Sequence, residues 1–126
     1  MDIAKIKEAL IKAWSRETCY PSLQDKWTPE NPSLGQCAVT ALVIQDLFGG
    51  EIVYCKHLHH YWNKLPDGTE LDLTREQFGE DANPCPDGIA QREYLLESER
   101  AKEAQTPQRY QLLKHKLNEI MNKKNI

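Results

Sequence analysis

The sequence predicts an α+β fold, with two N-terminal helices and a C-terminal helix packed on a small antiparallel sheet. Three observations carry that reading. Apolar residues recur with a helical period over residues 2–14, 36–48 and 106–122. A β-branched and aromatic run, Glu51-Ile52-Val53-Tyr54-Cys55-Lys56-His57, follows the second of these. Residues 60–65 and 69–74 then flank Pro66-Asp67-Gly68, which has the composition of a hairpin turn.

In residues 2–14, Ile3, Ile6, Ala9, Leu10, Ala13 and Trp14 form one stripe, and Lys5, Lys7, Glu8 and Lys12 lie off it. That pattern is an amphipathic helix with one buried face, ended by Ser15-Arg16-Glu17-Thr18. Residues 19–36 hold Pro21, Pro29 and Pro32 and show no period, so they read as one long loop anchored by Trp27. Long connections of this kind in a compact domain often serve function. From Gln36 to Phe48 the apolar residues Val39, Leu42, Val43, Ile44 and Leu47 cover more than one face, as in a central helix, and Gly49-Gly50 stops it. In the hairpin, Pro66 presets φ, Asp67 suits the second position and Gly68 takes the left-handed position of a three-residue loop. Arg75 to Phe78 starts a short helical turn, and residues 79–88, with Asn83-Pro84-Cys85-Pro86-Asp87-Gly88, form a loop. Tyr94-Leu95-Leu96 fits one more strand, and residues 97–103 are charged and helix-prone. Thr106 and Pro107 then provide an N-cap and a first-position proline for a helix whose stripe is Tyr110, Leu113, Leu117, Ile120 and Met121.

The 126 residues make one domain, 1–126, with 40% apolar and 28% charged residues. A net charge of −3 asks for neither nucleic acid nor an anionic membrane. The longest apolar run, residues 38–44, is too short to span a bilayer. The N-terminus lacks the apolar region of a signal peptide, so a cytoplasmic location is expected. The four cysteines, Cys19, Cys37, Cys55 and Cys85, include no C-x-x-C pair and are expected to be free thiols. Cys55, His57 and His59 alternate along a strand and could present zinc ligands, but a surface histidine cluster is the stronger reading. Glu80, Asp81 and Asp87 lack calcium-loop spacing, and there is no glycine-rich phosphate loop. Neither a metal nor a cofactor is expected.

The chemistry gathers at Gly35-Gln36-Cys37. A cysteine in the first turn of a helix meets free backbone N–H groups and the positive end of the helix dipole, which favour thiolate. A three-residue turn pairs Leu65 with Thr69, hence Trp62 with Asp72 and His60 with Thr74. His60, Trp62, Asp72 and Thr74 then share one face, with His60 and Asp72 diagonal neighbours roughly 7–8 Å apart at the backbone. A two-residue Asp67-Gly68 loop would instead throw Asp72 to the opposite face. Tyr61, Leu65, Leu71 and Leu73 on the other face need cover, expected from the terminal helices. Cys37 as nucleophile, His60 as base and Asp72 as the group that orients the imidazole are the parts of a thiol acyl-transfer site.

The strings Gly35-Gln36-Cys37, His60-Tyr61-Trp62-Asn63 and Asp72-Leu73-Thr74, in that order, resemble the papain-like and transglutaminase-like cysteine hydrolase superfamily. The fuller wording of residues 35–41, 46–52, 60–63 and 72–78 is similar to the small YunG-like bacterial proteins. That resemblance spans about residues 27–79, with an echo at Arg109-Tyr110. It implies a papain-like or transglutaminase-like core and a thiol-dependent hydrolase or acyltransferase. The implied substrate holds a peptide or amide bond, and the catalytic residues are Cys37, His60 and Asp72. The Cys37 backbone N–H is one expected oxyanion donor, and Gln36, Asn31 or Trp27 is a candidate for the second. Trp62 is expected to pack in the core and, with Trp27, to frame the substrate cleft. The competing expectation is an inactive peptide- or protein-binding module on the same scaffold.

Overall fold

A computed structural model describes residues 2–78 and 82–124 of the chain. Helix α1 (Ile3–Ala13) starts at Asp2, whose carboxylate accepts the Ala4 N–H at 2.9 Å. Its stripe of Ile6, Ala9, Leu10 and Ala13 is buried. At its end the Trp14 indole donates to Thr40 Oγ1 at 2.9 Å, joining it to helix α2 (Cys37–Phe48). Residues 39–44 of α2 are all buried, as expected of a helix with apolar residues on several faces.

The sheet is antiparallel, with strands β1 (Glu51–Cys55), β2 (His60–Lys64), β3 (Glu70–Leu71) and β4 (Gly88–Ala90) in the order β3-β2-β1-β4. Asn63 pairs with Leu71 and Lys64 with Glu70, and Leu65 N–H donates to Thr69 O at 2.8 Å. This is the register of a three-residue turn. Gly68 sits at φ +90° in its left-handed position, and the Asp67 carboxylate accepts the Thr69 N–H at 2.9 Å. On one face of the sheet Ile52, Tyr61, Leu65 and Leu71 join the main core, which α1, α2 and α5 (Thr106–Lys124) complete through Leu10, Leu42, Leu113 and Leu117. The terminal helices therefore do cover that face. On the other face Val53, Cys55 and Trp62 form a smaller cluster with Leu58. Asn63 is buried and donates to Ala41 O at 3.0 Å, fastening β2 to the middle of α2.

Several expectations are corrected. Residues 19–36 are not structureless: a 3-10 turn occupies Pro21–Lys26, preceded by another at Arg16–Thr18 that follows α1 and is held by reciprocal bonds between Ser15 and Thr18. Strand β1 stops at Cys55, short of His57, and β3 ends at Leu71, short of Asp72. Tyr94, Leu95 and Leu96 are helical, within α3 (Arg92–Glu97), followed by α4 (Glu99–Glu103). Part of the expected 79–88 loop is strand instead, since Gly88 begins β4 and pairs with Tyr54, while residues 79–81, including Glu80 and Asp81, lie outside the described residues. The last helix starts at Thr106, with Arg109 N–H bonded to Gln105 O, so the N-cap role falls to Gln105.

Among the described residues no helix is long and apolar enough to cross a membrane.

Candidate active site

The cysteine that opens α2 is held from behind by a chain crossing. Gly35 has φ +71°, and a Cβ there would lie 2.5 Å from Cys19 Sγ and 2.9 Å from Tyr20 N. Only glycine fits so close an approach at that backbone angle. Tyr20 N–H donates to Gly35 O at 2.9 Å, tying the two strands of chain together. The first helical hydrogen bond of α2 runs from Thr40 N–H to Gln36 O at 3.0 Å, so the N–H groups of Cys37, Ala38 and Val39 precede the helical ladder.

His60 opens β2 and is fully buried. Its Nε2 lies 2.6 Å from Asp72 Oδ2. The other carboxylate oxygen accepts from the Thr74 N–H at 3.3 Å and the Thr74 hydroxyl at 3.5 Å, which fixes the plane of the carboxylate. The ring is packed between Trp62, stacked at 5.5 Å, and the edge of Phe78 at 4.7 Å. Its Nδ1 is buried with no hydrogen-bond partner among the described residues. Burial opposes a charge on this ring, but the Asp72 hydrogen bond and the neighbouring Cys37 thiol outweigh it and lift the pKa to about 9. At neutral pH His60 is therefore an imidazolium, with Nε2–H donated to Asp72.

Cys37 is partly buried, with Sγ 3.8 Å from the carbonyl oxygen of His59. His59 itself has φ +49°, so the backbone turns sharply between the thiol and the imidazole. The cysteine behind it differs in kind: burial pushes the Cys19 thiol up to about 11, leaving it inert. Cys37 opens onto a cavity of about 530 Å³ whose walls include Leu23, Leu34, Leu58, Tyr61, Gln77 and Phe78. A second cavity of about 620 Å³ shares His59, Tyr61, Tyr94 and Arg100 with the first. The two thus adjoin as halves of one groove, and Cys37 lines the first.

His60 and Asp72 meet directly, and Cys37 lies beside them with its Sγ against the carbonyl of His59. Of the four residues expected to supply oxyanion donors or cleft walls, Trp62 alone joins them, stacked on the His60 ring, and none of the four lines either cavity. The Gln36 side chain is buried with its amide N–H on Ser15 O at 3.0 Å, leaving only its oxygen unpartnered. The Trp27 indole donates to Pro32 O at 3.0 Å and the Trp62 indole to Glu70 Oε1 at 2.8 Å. Asn31 lies in the turn before Leu34, whose N–H donates to Asn31 O. Sequence reasoning missed Gln77. It follows Asp72 in the chain, accepts the Gly35 N–H on Oε1 at 3.1 Å and lines the Cys37 cavity. Cys55, His57 and His59 do not alternate along a strand: Cys55 is buried, and His57 and His59 lie in the turn beyond it. Among the described residues no three His, Cys, Asp or Glu side chains converge as a metal site would require.

The family model described as YunG protein matches residues 2–122. A Bacillus subtilis (strain 168) protein printed as "Uncharacterized protein YunG" is 45% identical over 75 residues, which cover 58% of this chain and 60% of that protein. The alignment therefore spans less than two thirds of the relative. No solved structure matches the chain.

Proposed function

Because the chain belongs to the YunG family, and that membership brings no reaction with it, we propose a function from the geometry: a thiol-dependent hydrolase or acyltransferase acting on an amide or peptide-like bond. One observation carries the reading. His60 spends Nε2 on Asp72 and keeps a buried Nδ1 unpartnered, while the Cys37 thiol acts on the same ring. A buried imidazole nitrogen left without a partner costs stability, and a proton-transfer role accounts for it. The order of parts, a cysteine at a helix start, a histidine on a strand and an aspartate after the next turn, also supports a papain-like or transglutaminase-like arrangement of the core.

In this mechanism the Cys37 thiolate attacks the carbonyl carbon, and the π electrons move onto the carbonyl oxygen. His60 then donates the Nδ1 proton to the leaving nitrogen as the carbon–nitrogen bond breaks, giving a thioester and a free amine. Neutral His60 next removes a proton from water, or from an acceptor amine, which attacks the thioester and releases Cys37. Asp72 holds the ring and compensates the imidazolium. The apolar wall of Leu23, Leu34, Leu58 and Phe78 favours an acyl group with a hydrophobic body.

The test is the rate of iodoacetamide alkylation at each cysteine from pH 5.5 to 9. Cys37 is expected to react at least tenfold faster than exposed Cys85 at pH 6.5, and His60→Ala to abolish that advantage. Equal rates at Cys37 and Cys85 would refute the thiolate–imidazolium pair and favour the binding-only alternative.

A further inference from the structure

We propose that the Gln77 side-chain amide is the second oxyanion donor, acting with the Cys37 backbone N–H on the carbonyl oxygen of the bound acyl group. The inference rests on the thiol acyl-transfer reading above and adds a catalytic residue to it. Gln77 ends a 3-10 turn (Arg75–Gln77) that begins just after Asp72 and Thr74. Its N–H is fixed on Thr74 O at 3.1 Å, and the next residue, Phe78, packs on the His60 ring. One short segment therefore reaches both halves of the site.

The orientation of the Gln77 amide is decided by chemistry. Gly35 N–H can only donate, so the atom 3.1 Å from it must be the oxygen, and the NH₂ group occupies the other side. That nitrogen is buried and has no hydrogen-bond partner among the described residues. Gln77 lines the cavity that Cys37 opens onto, and its oxygen is anchored two residues before Cys37. An unspent donor in this place lacks an acceptor in the free protein and gains one when negative charge develops on a carbonyl oxygen at the Cys37 sulfur. Attack of the thiolate creates that charge: the S–C bond forms, the C=O π pair becomes an alkoxide lone pair, and both N–H groups donate to it until the leaving group departs. Gln36 does not serve, because its side chain is fully buried, is anchored on Ser15 O and lines neither cavity. Trp27 and Trp62 have spent their single indole N–H.

The experiment compares two reactions of the same thiol. Alkylation by iodoacetamide is a displacement at saturated carbon and forms no oxyanion, whereas acylation by p-nitrophenyl acetate must form one. In Gln77→Glu, the carboxylate still accepts the Gly35 N–H but offers no donor to the cavity. On this proposal Gln77→Glu alkylates within about twofold of wild type, while its acylation, read from nitrophenolate release, falls about 10²–10³-fold. Gln77→Ala shows the same split, with whatever further loss of alkylation follows from freeing Gly35. If Gln77 only pins the loop, Gln77→Ala lowers both rates in proportion and Gln77→Glu restores both, and the proposal is overturned. It is overturned too if wild type alkylates rapidly but acylates no faster than free cysteine. Slow alkylation of wild type instead overturns the underlying reading, so the two failures are distinguishable.

Discussion

Replacing Asp72 by asparagine keeps the shape of the side chain and removes its charge, which isolates the electrostatic part of its contact with His60. The imidazole pKa stands at about 9, against 6.5 for an unperturbed histidine. At 1.36 kcal/mol for each unit, that lift is worth about 3 kcal/mol of preference for the charged ring in the folded state. A group whose folded pKa exceeds its unfolded value stabilises the fold fully below the unfolded pKa. The contribution is then lost as pH rises through the folded one. Wild type is therefore expected to lose about 3 kcal/mol of unfolding free energy between pH 6 and 9, read from urea titrations at fixed pH steps. In Asp72→Asn only Cys37 still raises the ring against burial, so the His60 midpoint falls and the stability profile flattens over the same interval. Cys19, whose thiol is raised to about 11, releases its own contribution only between about pH 9 and 11 and does not enter this window. The midpoint is followed independently by the NMR shift of the His60 Cε1 proton. Parallel stability profiles for the two proteins, or an unchanged His60 midpoint in the variant, would refute the pairing as the source of the shift.

Two further outcomes follow from the same geometry. Gly35→Ala combines a left-handed φ of +71° with a Cβ 2.5 Å from Cys19 Sγ, and is expected to cost about 3 kcal/mol by urea unfolding and to slow alkylation of Cys37. Unchanged stability would mean that the crossing of residues 19–20 and 35 is looser than the contact distances imply. With Ellman's reagent the native protein is expected to release Cys85 and Cys37, and Cys19 and Cys55 only after unfolding. Four fast thiols in the native state would contradict the burial of the latter pair.

The main helices and the hairpin register were legible because each rests on a local rule. The stripe of Ile6, Ala9, Leu10 and Ala13 has a helical period, and Pro66-Asp67-Gly68 admits Gly68 at φ +90°, so Leu65 and Thr69 pair and Asp72 comes round to His60. What sequence could not deliver depended on distant partners. Gly88, Ile89 and Ala90 become a strand only because Ile52, Val53 and Tyr54 offer them an edge. Tyr94, Leu95 and Leu96 are too few to show a period; they turn helical with Leu95 buried and Tyr94 exposed. Gln77 stands in a charged string, Arg75-Glu76-Gln77, and nothing local marks it. Its importance comes from the Gly35 N–H, which only the folded chain brings to it. The near miss at Gln36 has the same origin: adjacency to Cys37 suggested a donor, but helix geometry turns that side chain inward to Ser15.

The topology also bears on how the site would come into being during synthesis. Cys37, His60, Asp72 and Gln77 all lie between Gly35 and Phe78, and Asp72 directly follows β3, which a tight turn joins to the strand that His60 opens. A growing polypeptide that has emerged as far as Phe78 carries all of these side chains. It does not yet carry Leu113 and Leu117 of α5, against which α1 and α2 are seated. Until that later helix docks, the apolar flank of α2 is bare. On the proposed reading, docking of α5, whose Thr106 and Arg109 also wall the Cys37 cavity, would complete the site only after that last helix has emerged.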